Sequence, residues 1–176
     1  MKKVDTNFLE PSQKQLHTLF EYYKNKQYIE AEKLSLSITQ EFPKNQFAWK
    51  VLAAVLKQNG KLNESLFISQ KSVQLDPQDP EAHNNLGALL QEQGRLKEAE
   101  SSYKKAIVLK PDYVEAIFNI GTCFYEINKF DEAEKKYIEA IKIRPEFVDA
   151  NFGLSIIKLL KGNYKDGLRL YEWRKK

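Results

Sequence analysis

The chain has 176 residues, 42% hydrophobic and 30% charged, a balance that excludes both a disordered polar chain and a membrane-embedded one. Its net charge of +4 is gathered at one end. Residues 142–176 hold nine Lys/Arg against four Asp/Glu, which leaves nineteen basic and twenty acidic residues elsewhere, so the basic stripe of a nucleic-acid binder is not expected. No run approaches the roughly 18 apolar residues of a membrane span. The opening segment, Met1 to Glu10, has two Lys with no apolar stretch behind them and is not read as a secretory signal. A single cysteine, Cys123, rules out an internal disulfide framework and fits a reducing cytoplasm.

Four prolines, Pro43, Pro77, Pro111 and Pro145, stand 34 residues apart without a slip. The period divides the chain into a lead-in at 1–11 and one domain at 12–176, with repeats at 12–45, 46–79, 80–113 and 114–147 and a partial fifth at 148–176. Repeats three and four agree at 12 of 34 positions, so they are copies of one unit.

Each repeat reads as two amphipathic helices. Repeat one carries Thr18 and Ser35 where bulkier residues stand in later repeats. Repeat two carries Ser65, Ser69 and Ser72 against alanine, tyrosine and alanine further on. Both are expected to pack less well than repeats three and four. In repeat three, Leu86, Leu89 and Leu90 make the first stripe, and Gly94 closes that helix. Leu96, Ala99, Tyr103, Ala106 and Ile107 make the second stripe, and Pro111 ends it. Gly87 and Gly121, with Ala53 in repeat two, share one register. Ala99 recurs as Ala133, Ala106 as Ala140, and Tyr103 as Tyr137 and Tyr171. Glycine inside a helix costs about 1 kcal/mol against alanine, so these positions mark close helix approach. No sustained period-two alternation predicts a strand. Repeat five departs with Lys158 at an apolar position and Gly167 for alanine, yet keeps Tyr171 and Trp173.

Period, small residues, aromatic position and terminal proline together resemble the tetratricopeptide-repeat (TPR) family over residues 12–176. Trp49, Leu52 and Ala53 match the start of its motif, and Leu86-Gly87 through Ala99, Tyr103, Ala106 and Pro111 match the rest. The resemblance implies an all-α, right-handed superhelical solenoid of helix-turn-helix repeats. It also implies that the first helices line a concave groove that binds a protein or extended peptide. Carried over by position, the groove residues expected to touch a partner are Lys50, Lys57, Asn84, Asn85, Gln91, Phe118, Asn119, Tyr125, Phe152 and Ile156. The middle of that face is polar, and its C-terminal end is aromatic. Asn85 and Asn119, one repeat apart, resemble the asparagine ladder of O-GlcNAc transferases, although His17, Val51 and Gly153 interrupt it. They read either as a backbone-gripping pair or as ordinary solvated residues. The carboxylate clamp of chaperone-binding TPR domains is not formed, because Ala54, Glu115 and Asn119 fill three of its places.

Three functions were weighed. The favoured one is a protein-binding scaffold with no catalytic, metal or cofactor site. The alternative is a substrate-recruiting arm of a larger enzyme, such as an O-GlcNAc-type glycosyltransferase whose catalytic domain is absent. That reading rests on the run from Arg144-Pro145 through Tyr171-Glu172-Trp173-Arg174. The third is a pentatricopeptide-type RNA binder, whose 35-residue period and basic character the chain lacks. His17 and His83 lack partners at metal-ligand spacing. Cys123 sits on an apolar stripe and reads as an inert thiol. Glu30, Glu64, Glu98, Glu132 and Asp166 share one register at the start of second helices, where they favour the positive end of the helix dipole. Asn63-Glu64-Ser65 is a glycosylation sequon by pattern alone. The fifth repeat leaves Leu168, Tyr171 and Trp173 without a following helix, and Phe152, Ile156 and Leu159 add apolar area. Self-association or a downstream domain is expected to cover them.

Overall fold

A computed structural model describes residues 10–175. The lead-in expected at 1–11, and the reading of Met1 to Glu10, therefore lie outside the described residues except at their last positions. Ten α-helices are present, with no strand among the described residues: α1 (Gln13–Lys24), α2 (Tyr28–Glu41), α3 (Gln46–Gln58), α4 (Leu62–Leu75), α5 (Pro80–Glu92), α6 (Leu96–Leu109), α7 (Val114–Glu126), α8 (Phe130–Ile143), α9 (Val148–Leu160) and α10 (Tyr164–Tyr171). A single 3-10 turn, Glu172–Lys175, follows. The fold is the all-α repeat architecture expected. The chain divides into two compact units, Met1–Leu89 and Leu90–Lys176.

The turn within each hairpin is built the same way five times. Lys26, Gly60, Gly94, Asn128 and Gly162, each 34 residues from the next, all have positive φ between 58° and 77°. The following amide reaches back to a carbonyl five residues earlier: Gln27 to Tyr22, Lys61 to Leu56, Arg95 to Leu90, Lys129 to Phe124 and Asn163 to Lys158, at 2.8–2.9 Å. This is the Schellman closure of a helix C-terminus, and it demands a left-handed residue. Three of the five are glycine, whereas Lys26 bears the steric cost of a Cβ. Lys26→Gly is therefore expected to stabilise the chain by about 0.5–1 kcal/mol, the left-handed penalty relieved less the extra unfolded-chain entropy of glycine. Gly60→Ala should cost about as much, although no atom lies within 4 Å of the added Cβ. Urea titrations of the two variants check the signs.

Between hairpins the geometry repeats as well. Phe42, Asp76, Lys110 and Arg144 each follow a second helix with φ between −126° and −138°, the extended conformation that a following proline enforces. The proline carbonyl then takes a side-chain hydrogen bond from six residues on. Trp49 Nε1 donates to Pro43 at 3.0 Å, His83 Nε2 contacts the Pro77 oxygen at 3.0 Å, and Asn151 Nδ2 donates to Pro145 at 2.9 Å. Three unlike side chains thus share one task at one register, and the fourth, Ile117, is fully buried instead. His83 is nearly buried, so it both packs and fixes this loop.

The first unit has a core of Leu19, Ala31, Ile38, Phe42, Ala48, Val51 and Val55. The serines of its hairpins point inward. Ser35 Oγ donates to the Ala31 carbonyl at 2.7 Å, and Ser65 Oγ to the Ala53 carbonyl at 2.6 Å. Looser packing is expected in both early repeats, and a cavity lined by Ala53, Ser69 and Ser72 of the second is present. In the first, Leu19 occupies the register of Ala53 and Gly121 and is fully buried, as is Ser35, so a large residue on the first helix fills what serine on the second leaves open.

The second unit solves the same problem the other way. Tyr137 on α8 lies between α7 and α9. A Cβ added to Gly121 would come within 2.7 Å of its ring, and one added to Gly153 within 2.8 Å. The ring also stacks on Phe118 with centroids 5.3 Å apart. Around it cluster Ala133, Leu154 and Ile157. Gly167 lets α10 approach Leu159, whose side chain would sit 2.7 Å from an added Cβ. Glu30, Glu64, Glu98, Glu132 and Asp166 all stand in the first turn of second helices, where the dipole favours them.

Candidate functional site

The residues expected to line a groove fall on α3, α5, α7 and α9, and seven of the ten gather into one hollow in each unit. In the first unit, Lys50, Lys57 and Asn85 line a cavity of about 260 Å³ with Tyr23, Ala53, Ser69, Ser72 and Glu81. Lys50 Nζ lies 3.0 Å from Asp79 Oδ2 and 2.5 Å from Glu81 Oε2. Burial disfavours both charges, but their mutual hydrogen bonds outweigh it, so the Lys50 ammonium is held above its ordinary range and the Asp79 carboxyl below its own. Asp79 is anchored further by Gln46 Nε2 at 2.7 Å and by the Glu81 amide at 2.9 Å. Lys50 is thus a neutralised wall of the cavity and not an open cation for a carboxylate.

In the second unit, Phe118, Tyr125, Phe152 and Ile156 come together around a hollow of about 270 Å³ with Thr122, Tyr137, Asp149 and Gly153. The aromatic character expected at this end is present. Phe118 is set by its stack on Tyr137 and an edge contact to Phe147 at 5.3 Å. Phe152 lies 5.5 Å from Tyr171.

Asn84, Gln91 and Asn119 line neither hollow. Gln91 donates to Glu126 Oε1 at 2.6 Å and accepts from the Tyr103 hydroxyl at 2.8 Å, so its amide is already engaged within the second unit. Asn85 belongs to the first unit and Asn119 to the second. At the next register position stands Gly153, where the face of Tyr137 occupies the space an asparagine would need. Glu115 pairs with Arg144 at 2.7 Å, consistent with there being no clamp.

At the C-terminal end the exposed apolar residues are only in part the ones expected. Tyr171 is half-buried, covered by Phe152 on one side and by the Arg174 guanidinium 4.2 Å from its ring, and Trp173 is half-buried too. Leu168 is exposed by more than half, as expected, and Leu160 and Tyr164 are exposed to the same degree. Cys123 is buried, and burial, reinforced by the nearby Glu126 and Glu100 charges, pushes its thiol up to about 12. It is protonated at neutral pH and a poor nucleophile. Among the described residues no group of three or more His, Cys, Asp or Glu is placed to hold a metal ion, and no helix is long and apolar enough to cross a membrane.

Sequence reasoning missed the buried serines as part of a site. The signal was present: Ala53 and Ser69 are both small, at two positions of which one is large in the flanking hairpins. It also passed over a hollow of about 410 Å³ among α2, α3 and α4, lined by Leu36, Leu56 and Phe67.

A family model described as "Tetratricopeptide repeat" matches residues 78–146, and one described as "TPR repeat" matches residues 54–94. Together they span just over half of the chain. No curated protein sequence matches it. Among solved structures the chain resembles PilW, described as a type IV pilus biogenesis factor, with a TM-score of 0.83, 24% identity, and 93% of this chain and 79% of that one covered. It resembles PilF of Pseudomonas aeruginosa with a TM-score of 0.83, 17% identity, and 90% and 72% covered. It also resembles YrrB, described as a TPR protein with an unusual peptide-binding site, with a TM-score of 0.70, 16% identity, and 93% and 84% covered. At these identities the likeness is one of fold.

Proposed function

We propose that the chain, whose residues 54–146 match tetratricopeptide-repeat family models, is a scaffold that holds an extended segment of a partner protein against its first helices, and that it performs no chemistry itself. One continuous repeat domain from residue 12 to 176 is part of this reading. The observation that carries it is the convergence of seven of the ten expected groove residues on two hollows. Lys50, Lys57 and Asn85 line one, and Phe118, Tyr125, Phe152 and Ile156 line the other. The first offers hydrogen bonds and balanced charge, the second aromatic surface. Taken singly, the first suits a polar side chain of a bound peptide and the second an apolar one. The peptide-binding site named for YrrB supports the reading by analogy.

The test is selection of a random peptide library on the full chain, followed by titration of a recovered peptide. Ile156→Asp and the double change Asn85→Ala with Asn119→Ala are each expected to weaken it. The double change removes hydrogen bonds of about 0.5–1.5 kcal/mol each, a loss of about five- to 150-fold, with little change in melting temperature. Unchanged affinity in both variants removes the groove from the function.

A further inference from the structure

We propose that the cavity of the first unit is an anchor pocket for an uncharged tyrosine side chain of the bound peptide. The inference rests on the peptide-binding reading above and adds to it which side chain the pocket takes.

The cavity exists because two neighbouring positions are small at once. Elsewhere the hairpins trade volume: Leu19 accompanies Ser35, and Gly121 accompanies Tyr137, all four buried. In the second hairpin Ala53 accompanies Ser69, so neither helix supplies the bulk, and both residues line the cavity. The space left is that of a missing tyrosine, since Ser69 stands one and two repeats before Tyr103 and Tyr137. Gly153 flanks Tyr137 on its far side, and its counterpart Asn85 lines this cavity. A dry cavity of roughly 150 Å³ accepts a benzene ring, and about 260 Å³ is available here, enough for a ring and its hydroxyl.

The chemistry of the wall selects among rings. Ser72 is 1% exposed, lines the cavity, and its hydroxyl has no hydrogen-bond partner among the protein groups around it. A buried hydroxyl left in this state favours a ligand that can pair with it, which a phenol does and a phenyl group does not. The charges around the site balance: Lys50 and Lys57 stand against Asp79 and Glu81. A neutral hydroxyl therefore fits better than a phosphate or a carboxylate.

The experiment uses the full chain and a library of random capped octapeptides. Wild type is expected to recover peptides with tyrosine fixed at one position. Replacing that tyrosine by alanine should weaken binding at least tenfold, and by phenylalanine about fivefold. Ala53→Leu, which copies the Leu19 solution, should leave the helical circular dichroism intact and cut the tyrosine-to-alanine difference below twofold. Ser72→Ala, nearly isosteric, keeps the test valid if Ala53→Leu misfolds. It should cut the tyrosine-to-phenylalanine difference below twofold while alanine stays weak. Recovery of peptides with no aromatic position, or persistence of the tyrosine preference in both variants, overturns the anchor and leaves the groove standing. No enrichment of any peptide overturns both.

Discussion

Gly121→Leu is expected to destabilise the chain by about 2 kcal/mol, and the loss should be largely recovered by a second change at Tyr137. Even a Cβ at Gly121 meets the Tyr137 ring at 2.7 Å and the Lys136 Cβ at 3.2 Å. The ring has no retreat, because an added Cβ at Gly153 would touch its other edge at 2.8 Å and Phe118 stacks against it. Overpacking at so confined a place costs about 1–3 kcal/mol, and the gain in helix propensity over glycine returns less than about 1 kcal/mol. Tyr137→Ser alone should cost about 3–5 kcal/mol, as truncation of a buried aromatic does. The double variant recreates the Leu19 and Ser35 pair that the first hairpin already uses. Its cost should fall short of the sum by at least about 2 kcal/mol, the size of coupling expected between residues in contact. Additive losses in urea melts of the four proteins would show that the two positions do not share volume.

The second large effect is electrostatic. Glu134 on α8 receives Lys158 Nζ at 2.5 Å and Lys161 Nζ at 2.6 Å, with side-chain exposure of only 16% for the acid and 25% for Lys158. Asp131 takes the other side of Lys161. Lys158, the residue that broke the apolar pattern on α9, is thereby explained as half of a latch between hairpins. Glu32 does the same in the first unit, accepting from Asn59 at 2.7 Å and Lys61 at 2.6 Å. Glu134→Gln is expected to cost about 1–2 kcal/mol and Glu134→Lys about 2–3, since the reversal loses charge-assisted bonds and adds a third cation. The difference between the two variants should shrink in 1 M salt. Burial opposes the Glu134 charge, but the hydrogen bonds from Lys158 and Lys161 prevail and hold its carboxyl below the ordinary range. Its contribution is therefore complete above the unfolded carboxyl value of about 4.3 and fades as pH falls through the lower folded value. Wild type and Glu134→Gln should converge in stability at acid pH. A gap that stays constant down to pH 2 would assign the effect to shape instead of charge.

The period and its prolines made the helices legible, because proline acts on the backbone of its own neighbourhood and needs no tertiary partner. The turns were legible where glycine marked them, at Gly60, Gly94 and Gly162, and hidden at Lys26 and Asn128, where an ordinary residue adopts the same positive φ. Trp49, His83 and Asn151 look unrelated as residue types, so their common bond to a proline carbonyl emerges only when the donors are placed in space. Positions on the first helices could be carried over from the family, and seven of them do line hollows. The floor of the first hollow could not, since a cavity is a property of two residues that are each unremarkable alone. Lys158 illustrates the same limit: its sequence position says only that it is out of place, and the answer lies 24 residues away in Glu134.

The three volume pairs also constrain how such hairpins can be altered one substitution at a time. Leucine with serine and glycine with tyrosine are both filled solutions, but a direct step from either toward the other overfills the gap or empties it. Alanine with serine, the state of the second hairpin, is the low crossing between them. It gives up packing without a clash; the Ser65 hydroxyl beside it still donates to the Ala53 carbonyl, while the Ser72 hydroxyl is left without a partner among the protein groups around it. A chain resting at that crossing has traded rigidity in one hairpin for a place that another molecule can complete.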